Sequence, residues 1–184
     1  MNTLLLDEVH QVMQNAECIH DALSVDRALQ TMADEIKADI GDKAPLVIGV
    51  MNGAMVPLSL LLTKLNFPLK LDYLHATRYR ENLEGTELMW QRSPSMALSN
   101  QHVLIVDDIL DEGHTLAAII EYCEAQDPAS LRTAVLAKKN HDRGVRPQLD
   151  YIGLEVPDRY VFGCGMDYKG YWRNTPEIFA VRDS

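Results

Sequence analysis

The chain has 184 residues, which suits one domain that buries roughly 70 per cent of the surface its unfolded chain would expose. It carries 17 basic and 27 acidic residues, a net charge of −10, and this balance disfavours nonspecific binding to nucleic acid or to anionic membranes. Its three cysteines are far apart and include no CxxC pair, so neither a disulfide framework nor a zinc ribbon is indicated. No apolar stretch approaches the ~20 residues of a membrane span, and the run Leu4 to Leu6 is too short for a signal peptide. We therefore expect a cytoplasmic protein.

Helical and strand patterns alternate over the first two thirds of the chain. Residues 4–40 show apolar residues at helical spacing, with Ser24 as a candidate N-cap. A buried strand is predicted at 46–51, and Pro57 suits the first turn of the next helix. Further strands are predicted at 69–75, 87–91, 103–106, 132–137, 151–154 and 159–162. The alternation predicts an α/β fold, a parallel sheet flanked by helices, with ligands at the carboxyl ends of its strands.

No Pro/Gly/Ser-rich linker divides the chain, so residues 1–184 are predicted to form a single domain. We expect a core at about 40–155 and a small hood formed by 1–40 and 156–184. The segment 78–100 is polar, contains Gly85 and Pro94, and lies between predicted strands. It is therefore interpreted as a mobile hairpin or lid.

The stretch VLIVDDILDEGHTL, residues 103–116, holds the most informative motif. Its apolar start predicts a buried strand that ends at Asp107 and Asp108, and a helix is predicted from about Thr115. Two carboxylates can accept hydrogen bonds from sugar hydroxyls or hold Mg²⁺, which prefers oxygen ligands. The turn from Asp111 to Thr115 can direct backbone N–H groups at a phosphate, and Gly113 permits a close approach of the backbone. These features predict a site for a phosphorylated sugar.

Two other interpretations of this motif are weaker. Response-regulator receiver domains also have a strand that ends in paired aspartates, but theirs is the first strand and about a hundred residues follow it. Fewer than that remain after Asp108. A buried strand that simply ends in a solvated acidic turn is the other alternative.

At these residues the chain resembles the phosphoribosyltransferase family, type I, whose signature is a hydrophobic strand, two acidic residues and a phosphate-binding turn. The resemblance implies that Asp107 and Asp108 bind the ribose hydroxyls of 5-phosphoribosyl-1-pyrophosphate. It also implies that the turn binds the 5′-phosphate through Asp111, Glu112, Gly113, His114 and Thr115. Glu112 and His114 depart from the commonest family pattern, so we expect the Glu112 side chain to point away from the phosphate and only its amide to contribute.

Three more motifs, at 50–54, 137–140 and 157–174, are similar to the 6-oxopurine branch of this family. The sequence VMNGA, residues 50–54, matches a pyrophosphate-binding loop that commonly contains a non-proline cis peptide, here Met51–Asn52. The resemblance implies that Met51, Asn52 and Gly53 bind pyrophosphate. Asn52 replaces a frequent Lys, and a plain turn after the strand is the structural alternative. In the lid, Tyr79 matches a residue that contacts the donor, and Arg78 and Arg80 could replace the missing charge.

The purine site is implied by AKKN at 137–140 and by the segment 157–174. Lys138 would donate to the purine O6, Tyr160 would stack on the base, and the backbone of Val161 would read its edge. Asp167 would bind Mg²⁺ and contribute its carbonyl to base recognition, while Arg173 would contact pyrophosphate. The alternatives are that Lys138 is a solvated surface charge and that the Tyr160 ring packs in the core. The spacing of Asp167 and Arg173 favours the purine site.

The resemblance therefore implies transfer of a phosphoribosyl group to N9 of hypoxanthine or guanine, with Asp111 as the catalytic acid or base at N7. Mg²⁺ is the implied cofactor, held by Asp167 with Asp107 and Asp108 as further candidate ligands. The implied partners are phosphoribosyl pyrophosphate and a 6-oxopurine, with no nucleic acid and no membrane, and family members are usually dimers or tetramers. A non-catalytic RNA-binding regulator of the same fold, or a xanthine-preferring enzyme, is the alternative.

Overall fold

The computed structural model describes residues 3–78 and 88–182. Its four helices there are α1 (Thr3–Asn15), α2 (Ala22–Ile40), α3 (Met55–Leu62) and α4 (His114–Glu124). Its strands there are β1 (Glu17–His20), β2 (Leu46–Val50), β3 (Lys70–Arg78), β4 (Leu88–Arg92), β5 (His102–Leu110), β6 (Ser130–Lys139), β7 (Tyr151–Val156), β8 (Val161–Phe162) and β9 (Ile178–Ala180). None of the helices in the described part of the chain is long and apolar enough to cross a membrane.

Six strands form the main sheet in the order β4-β3-β2-β5-β6-β7. All neighbouring pairs are parallel except β3 with β4, which forms an antiparallel edge. Apolar residues of β2, β5 and β6 are buried on both faces of the sheet, as expected where helices cover both sides. The predicted α/β fold with a parallel sheet flanked by helices is confirmed.

The amino-terminal segment differs from its prediction. It is not one helical region, because β1 separates α1 from α2. Asp21, rather than Ser24, is the N-cap of α2, and its carboxylate accepts a hydrogen bond from the Ser24 backbone N–H at 2.7 Å. The Ser24 N-cap was therefore wrong. Asp and Ser are both good N-caps, and the cap is the residue that precedes the first helical turn.

A second, three-stranded sheet has the order β1-β9-β8 and joins the two ends of the chain. β1 and β9 were not predicted, and the strand predicted at 159–162 is limited to Val161 and Phe162. Short strands like these lack enough alternating residues to be recognised in sequence. The division into core and hood remains a prediction.

The carboxyl end of β5 and the start of α4 both differ from the sequence pattern. β5 does not end before the acid pair but continues to Leu110, because Asp107 is in register with Val135 of β6 and Ile109 with Ala137. α4 begins at His114, one residue earlier than predicted. The acid pair therefore lies inside the strand and is held by the sheet.

The predicted lid is a hairpin as far as the structure describes it. β3 pairs antiparallel with β4, which spans Leu88–Arg92. Residues 79–87, including Tyr79 and Arg80, lie outside the described residues, and so does the predicted start of β4 at 87. The proposed mobility of this segment remains a prediction.

Asp72 of β3 anchors the chain that follows this hairpin. The residue is 6% exposed, and its carboxylate accepts hydrogen bonds from the backbone N–H groups of Tyr73, Ser95 and Met96 at 2.8, 2.6 and 2.9 Å. Burial raises the pKa of Asp72, but these hydrogen bonds outweigh it and the pKa lies below its ordinary value. The charged form is therefore the one that stabilises the fold.

We expect Asp72→Ala to lower the free energy of unfolding at pH 7 by about 2 to 3 kcal/mol, because it leaves buried amides without an acceptor. Because the folded-state pKa is lowered, this stabilisation is present above the ordinary Asp pKa and is lost as pH falls through the folded value. Urea unfolding at pH 7 and pH 3 measures the difference, which should shrink at pH 3. Asp42→Ala, at an exposed aspartate, is the control and should change stability by about 0.5 kcal/mol at most. Equal effects of the two substitutions would contradict the prediction.

Candidate active site

The acid pair of Asp107 and Asp108 is electrostatically unfavourable. Burial raises the pKa of Asp107 well above its ordinary value, and the neighbouring Asp108 carboxylate adds to the effect. Burial also raises the pKa of Asp108, whose side chain is 13% exposed, although Arg173 offsets part of the shift. The backbone N–H groups of Asp108 and Ile109 donate to the Asp107 and Asp108 carboxylates at 2.9 and 2.8 Å. Two partly buried carboxylates with few cationic partners suit a ligand that supplies hydroxyl donors or a cation.

Gly53 forms the wall that faces Asp108. A Cβ at this position would lie 2.2 Å from Asp108 Oδ2, so only glycine fits without displacing the carboxylate. The peptide between Met51 and Asn52 is cis, which confirms that prediction. Asn52 is exposed, whereas Gly53 is buried. The loop therefore lies directly beside the acid pair.

The predicted phosphate loop leads into α4. Gly113 is the N-cap of this helix and has a left-handed conformation with φ of 76°. A Cβ on Gly113 would also lie 2.4 Å from the carbonyl oxygen of Val145, so glycine is required for two reasons. Glu112 is exposed, and His114 and Thr115 are half-buried. The first N–H groups of a helix have no intrahelical acceptor, so this turn is suited to bind an anion.

Asp111 is held between two side chains from the end of β6 and the following loop. Lys139 Nζ lies 2.7 Å from one of its carboxylate oxygens and His141 Nε2 lies 2.7 Å from the other. Partial burial raises the pKa of Asp111, but the hydrogen bonds from Lys139 and His141 outweigh it and the pKa lies below its ordinary value. The Asp111 side chain is 44% exposed. It is an anionic group that remains accessible from solvent.

Arg173 joins the acid pair to the segment predicted to bind the base. Its guanidinium lies 2.5 Å from Asp167 Oδ1 and 3.9 Å from Asp108 Oδ2. It also donates to the carbonyl oxygen of Gly165 at 2.6 Å. A Cβ on Gly165 would lie 2.1 Å from the Gly53 carbonyl oxygen, so the two loops are packed backbone to backbone.

The predicted base-binding residues lie on three neighbouring segments. Tyr160 is 51% exposed and its hydroxyl donates to the Asp167 carbonyl oxygen at 3.1 Å. Tyr168 contacts the Tyr160 ring edge-on, with ring centroids 5.4 Å apart. The side chain of Val161 is buried in the core, which leaves its backbone for recognition. Lys138 is half-buried at the end of β6, in register with Leu110 of β5 and Glu155 of β7.

Sequence reasoning missed the two partners of Asp111. The sequence patterns assigned no role to Lys139 or to His141. Alternation along a strand places adjacent lysines on opposite faces, so the pair could have been assigned two different roles. For His141 the signal was weaker, since only its position in the basic stretch after β6 distinguished it.

In the part of the chain that the structure describes, no group of three or more His, Cys, Asp or Glu side chains is suited to bind a metal. Mg²⁺ is usually bound by one or two carboxylates and completed by water and substrate phosphates. Asp167 supplies such a carboxylate, half-exposed beside Arg173. The donor set therefore fits Mg²⁺ that arrives with a phosphorylated substrate.

The fold and these loops define an α/β protein with a candidate ligand site at the carboxyl edge of a parallel sheet. Residues 15–169 match the family model described as the phosphoribosyl transferase domain. The chain belongs to this family.

Similar proteins agree with this assignment. Over 161 residues, 86% of this chain and 90% of the relative, it is 30% identical to hypoxanthine-guanine phosphoribosyltransferase from Aquifex aeolicus. It is 28% identical to hypoxanthine-guanine-xanthine phosphoribosyltransferase from Tritrichomonas foetus, in an alignment that covers 99% of this chain and 97% of that protein. A solved hypoxanthine phosphoribosyltransferase from Trypanosoma cruzi, a mutant in complex with the product IMP, superposes with a TM-score of 0.85 at 26% identity. That comparison covers 91% of this chain and 92% of the solved one.

We expect Asp107→Asn to stabilise the ligand-free protein at pH 8 by about 1 kcal/mol or more, one unit of pKa being worth ~1.4 kcal/mol. A raised folded-state pKa means that the native carboxylate costs stability as pH rises above its unfolded value, and Asn removes this cost. The gain should disappear below about pH 4, where the unfolded carboxylate is also protonated. Urea unfolding at several pH values, with Asp42→Asn as the control, measures it. If Asp107→Asn lowered stability at both pH 8 and pH 4, repulsion between the two carboxylates would not cost the native protein stability.

Proposed function

We propose that this protein is a purine salvage enzyme that transfers the phosphoribosyl group of phosphoribosyl pyrophosphate to N9 of hypoxanthine or guanine. The products are IMP or GMP and pyrophosphate. The observation that carries the proposal is the convergence of three loops at one edge of the sheet: the Gly53 loop against Asp108, the turn into α4, and the Arg173–Asp167 pair. The names of the similar proteins support the same reaction.

The ribose 5-phosphate part of the donor binds along the end of β5. Asp107 and Asp108 accept hydrogen bonds from its 2′- and 3′-hydroxyls, which relieves the desolvation that raises their pKa values. The 5′-phosphate binds at the amino terminus of α4, where Asp111 to Thr115 present backbone N–H groups and Thr115 adds a hydroxyl.

Pyrophosphate binds on the other side of the acid pair. Backbone groups of Met51, Asn52 and Gly53 contact it, and the Arg173 guanidinium exchanges part of its contact with Asp167 for phosphate oxygens. Asp167 would hold Mg²⁺, with Asp107 and Asp108 as further candidate ligands; when bound, the ion neutralises negative charge on pyrophosphate. Tyr79, which lies outside the described residues, is proposed to contact the donor from the lid.

The purine binds against the ring of Tyr160, a residue that is 51% exposed. Its ring supplies a flat apolar surface, and Lys138 donates to O6. The backbone of Val161 and the carbonyl of Asp167 contact the remaining edge of the base. These groups discriminate poorly at the 2-position, so xanthine is a further candidate substrate, and the name of the Tritrichomonas foetus relative includes it.

The reaction forms the N9–C1′ bond and breaks the bond from C1′ to the pyrophosphate oxygen. The ribose carbon becomes cationic on the way, and the fixed charges of Asp107 and Asp108 stabilise it while Arg173 stabilises the departing anion. The proton on purine N7 passes to Asp111 and then to solvent. Asp111 is suited to this role because it is anionic and accessible, and because each carboxylate oxygen has a second acceptor site beside its present partner.

We further propose that the enzyme acts in the cytoplasm as a homodimer or homotetramer on small-molecule substrates, without nucleic acid or a membrane. The cysteine pattern supports a reducing compartment, and the net charge of −10 disfavours nucleic-acid and membrane partners. The oligomeric state is carried over from the family.

Pyrophosphate release with phosphoribosyl pyrophosphate and Mg²⁺ should proceed with hypoxanthine or guanine and not with adenine. The reason is that Lys138 donates to a 6-oxo group and has no acceptor to meet at a 6-amino group. The assay is run separately with hypoxanthine, guanine, xanthine and adenine. Donor binding without turnover of any base would contradict the enzyme proposal and indicate a sensor of the same fold.

Asp111→Asn should lower kcat by about 10²-fold or more and leave donor binding within a few-fold, because Asn cannot accept the N7 proton. Steady-state kinetics and donor titration by calorimetry measure the two quantities. Asp142→Asn, an exposed aspartate in the loop after β6, is the matched control and should leave both unchanged. A kcat near that of the wild type would show that Asp111 is not the base.

A further inference from the structure

We propose that His141 is a positioning residue that, together with Lys139, sets the orientation of the Asp111 carboxylate for proton acceptance. The proposal rests on the function proposed above and deepens it. His141 contacts the Asp111 carboxylate and would act through it.

The hydrogen bonds of His141 determine its tautomer. The Arg143 backbone N–H lies 3.2 Å from Nδ1, and Arg146 Nη2 lies 3.0 Å from the same atom. Both groups can only donate, so Nδ1 of the neutral imidazole presents a lone pair and Nε2 carries the proton. Nε2 therefore donates to Asp111 Oδ1 at 2.7 Å. His141 acts as a hydrogen-bond donor to the carboxylate.

Burial of the His141 and Lys139 side chains explains why they can fix the orientation of the Asp111 carboxylate. The His141 side chain is 5% exposed, and that of Lys139 is 13% exposed, whereas that of Asp111 is 44% exposed. Lys139 and His141 are thus two buried donors that hold one side of the Asp111 carboxylate, whose other side is open to solvent. A carboxylate held at both oxygens cannot rotate freely, so its remaining acceptor sites keep one direction. Such supporting groups commonly decide the precision of an active site.

The loop that carries His141 is built against the phosphate turn. Arg146 donates to the carbonyl oxygens of Asp111, at 3.1 Å, and of His141. The Val145 backbone N–H donates to the Glu112 carbonyl oxygen at 2.9 Å. Gly144 has φ of 77°, and a Cβ there would lie 2.2 Å from the Glu112 carbonyl oxygen. The imidazole and the backbone of the turn are therefore held by the same contacts.

The kinetic test compares His141→Leu, His141→Gln and a matched control. His141→Leu should lower kcat about 10-fold or more with the KM for donor within about threefold, because the donor site is kept and the base is not oriented. His141→Gln, whose side-chain amide can replace the Nε2 donor, should recover most of the loss. His102→Leu removes another half-buried imidazole, hydrogen-bonded to Ser130 Oγ at the opposite end of β5, and should leave kcat unchanged.

A double-mutant cycle separates positioning from a general structural effect. In an Asp111→Asn background, His141→Leu should lower kcat by no more than about twofold, since residues that act as a unit are not additive. The proposal is overturned if His141→Leu keeps kcat within twofold of the wild type. It is also overturned if the loss is undiminished in the Asp111→Asn background.

A spectroscopic measurement keeps the test independent of the proposed reaction. Long-range ¹H–¹⁵N correlation spectra of the free protein at pH 8 should show His141 as the Nε2–H tautomer, and Asp111→Asn should shift its Nε2 resonance. A dominant Nδ1–H tautomer would overturn the positioning proposal even if the enzyme is active. Wild-type protein without turnover of any purine, but with the expected tautomer, would instead contradict the proposed function alone.

Discussion

Two adjacent carboxylates within a sheet strand are the constraint on which the rest of the site depends. Asp107 and Asp108 are held in β5 by its register with β6, so they cannot separate, and burial raises both pKa values. This electrostatic cost is tolerable only if the surroundings or a ligand compensate it. Arg173 provides part of the compensation at 3.9 Å from Asp108, and the hydroxyls of a bound sugar would provide more.

The neighbouring loops are arranged around this pair by close backbone packing. Gly53 allows its loop to lie against Asp108, and Gly165 allows the segment proposed to bind the base to lie against Gly53. Arg173 then connects that segment to the pair through Asp167 and the Gly165 carbonyl. A side chain larger than hydrogen at either glycine would separate the groups proposed to bind pyrophosphate from those proposed to bind ribose.

Asp111 belongs to the same strand end but has the opposite electrostatic character. Its partners Lys139 and His141 lower the pKa of Asp111. In contrast, burial raises the pKa of Asp107, only four residues earlier in the chain. The difference arises because β6 and its following loop bring two donors to Asp111. One short segment therefore combines two carboxylates that a bound ligand would stabilise, Asp107 and Asp108, with one that is already anionic and oriented, Asp111.

The sequence by itself determined the α/β class, the acid pair and the glycine of the predicted phosphate turn, and a family resemblance carried by a short loop motif implied the cis Met51–Asn52 peptide. These are local features, because each is encoded by an apolar run, adjacent acids or a short loop motif that is recognisable without its neighbours. Only the tertiary structure decided that β5 continues through the acid pair, that β1 pairs with β9, and that Lys139 and His141 hold Asp111. These features depend on contacts between segments far apart in sequence, whose register and side-chain directions follow from packing and are not encoded in any local pattern.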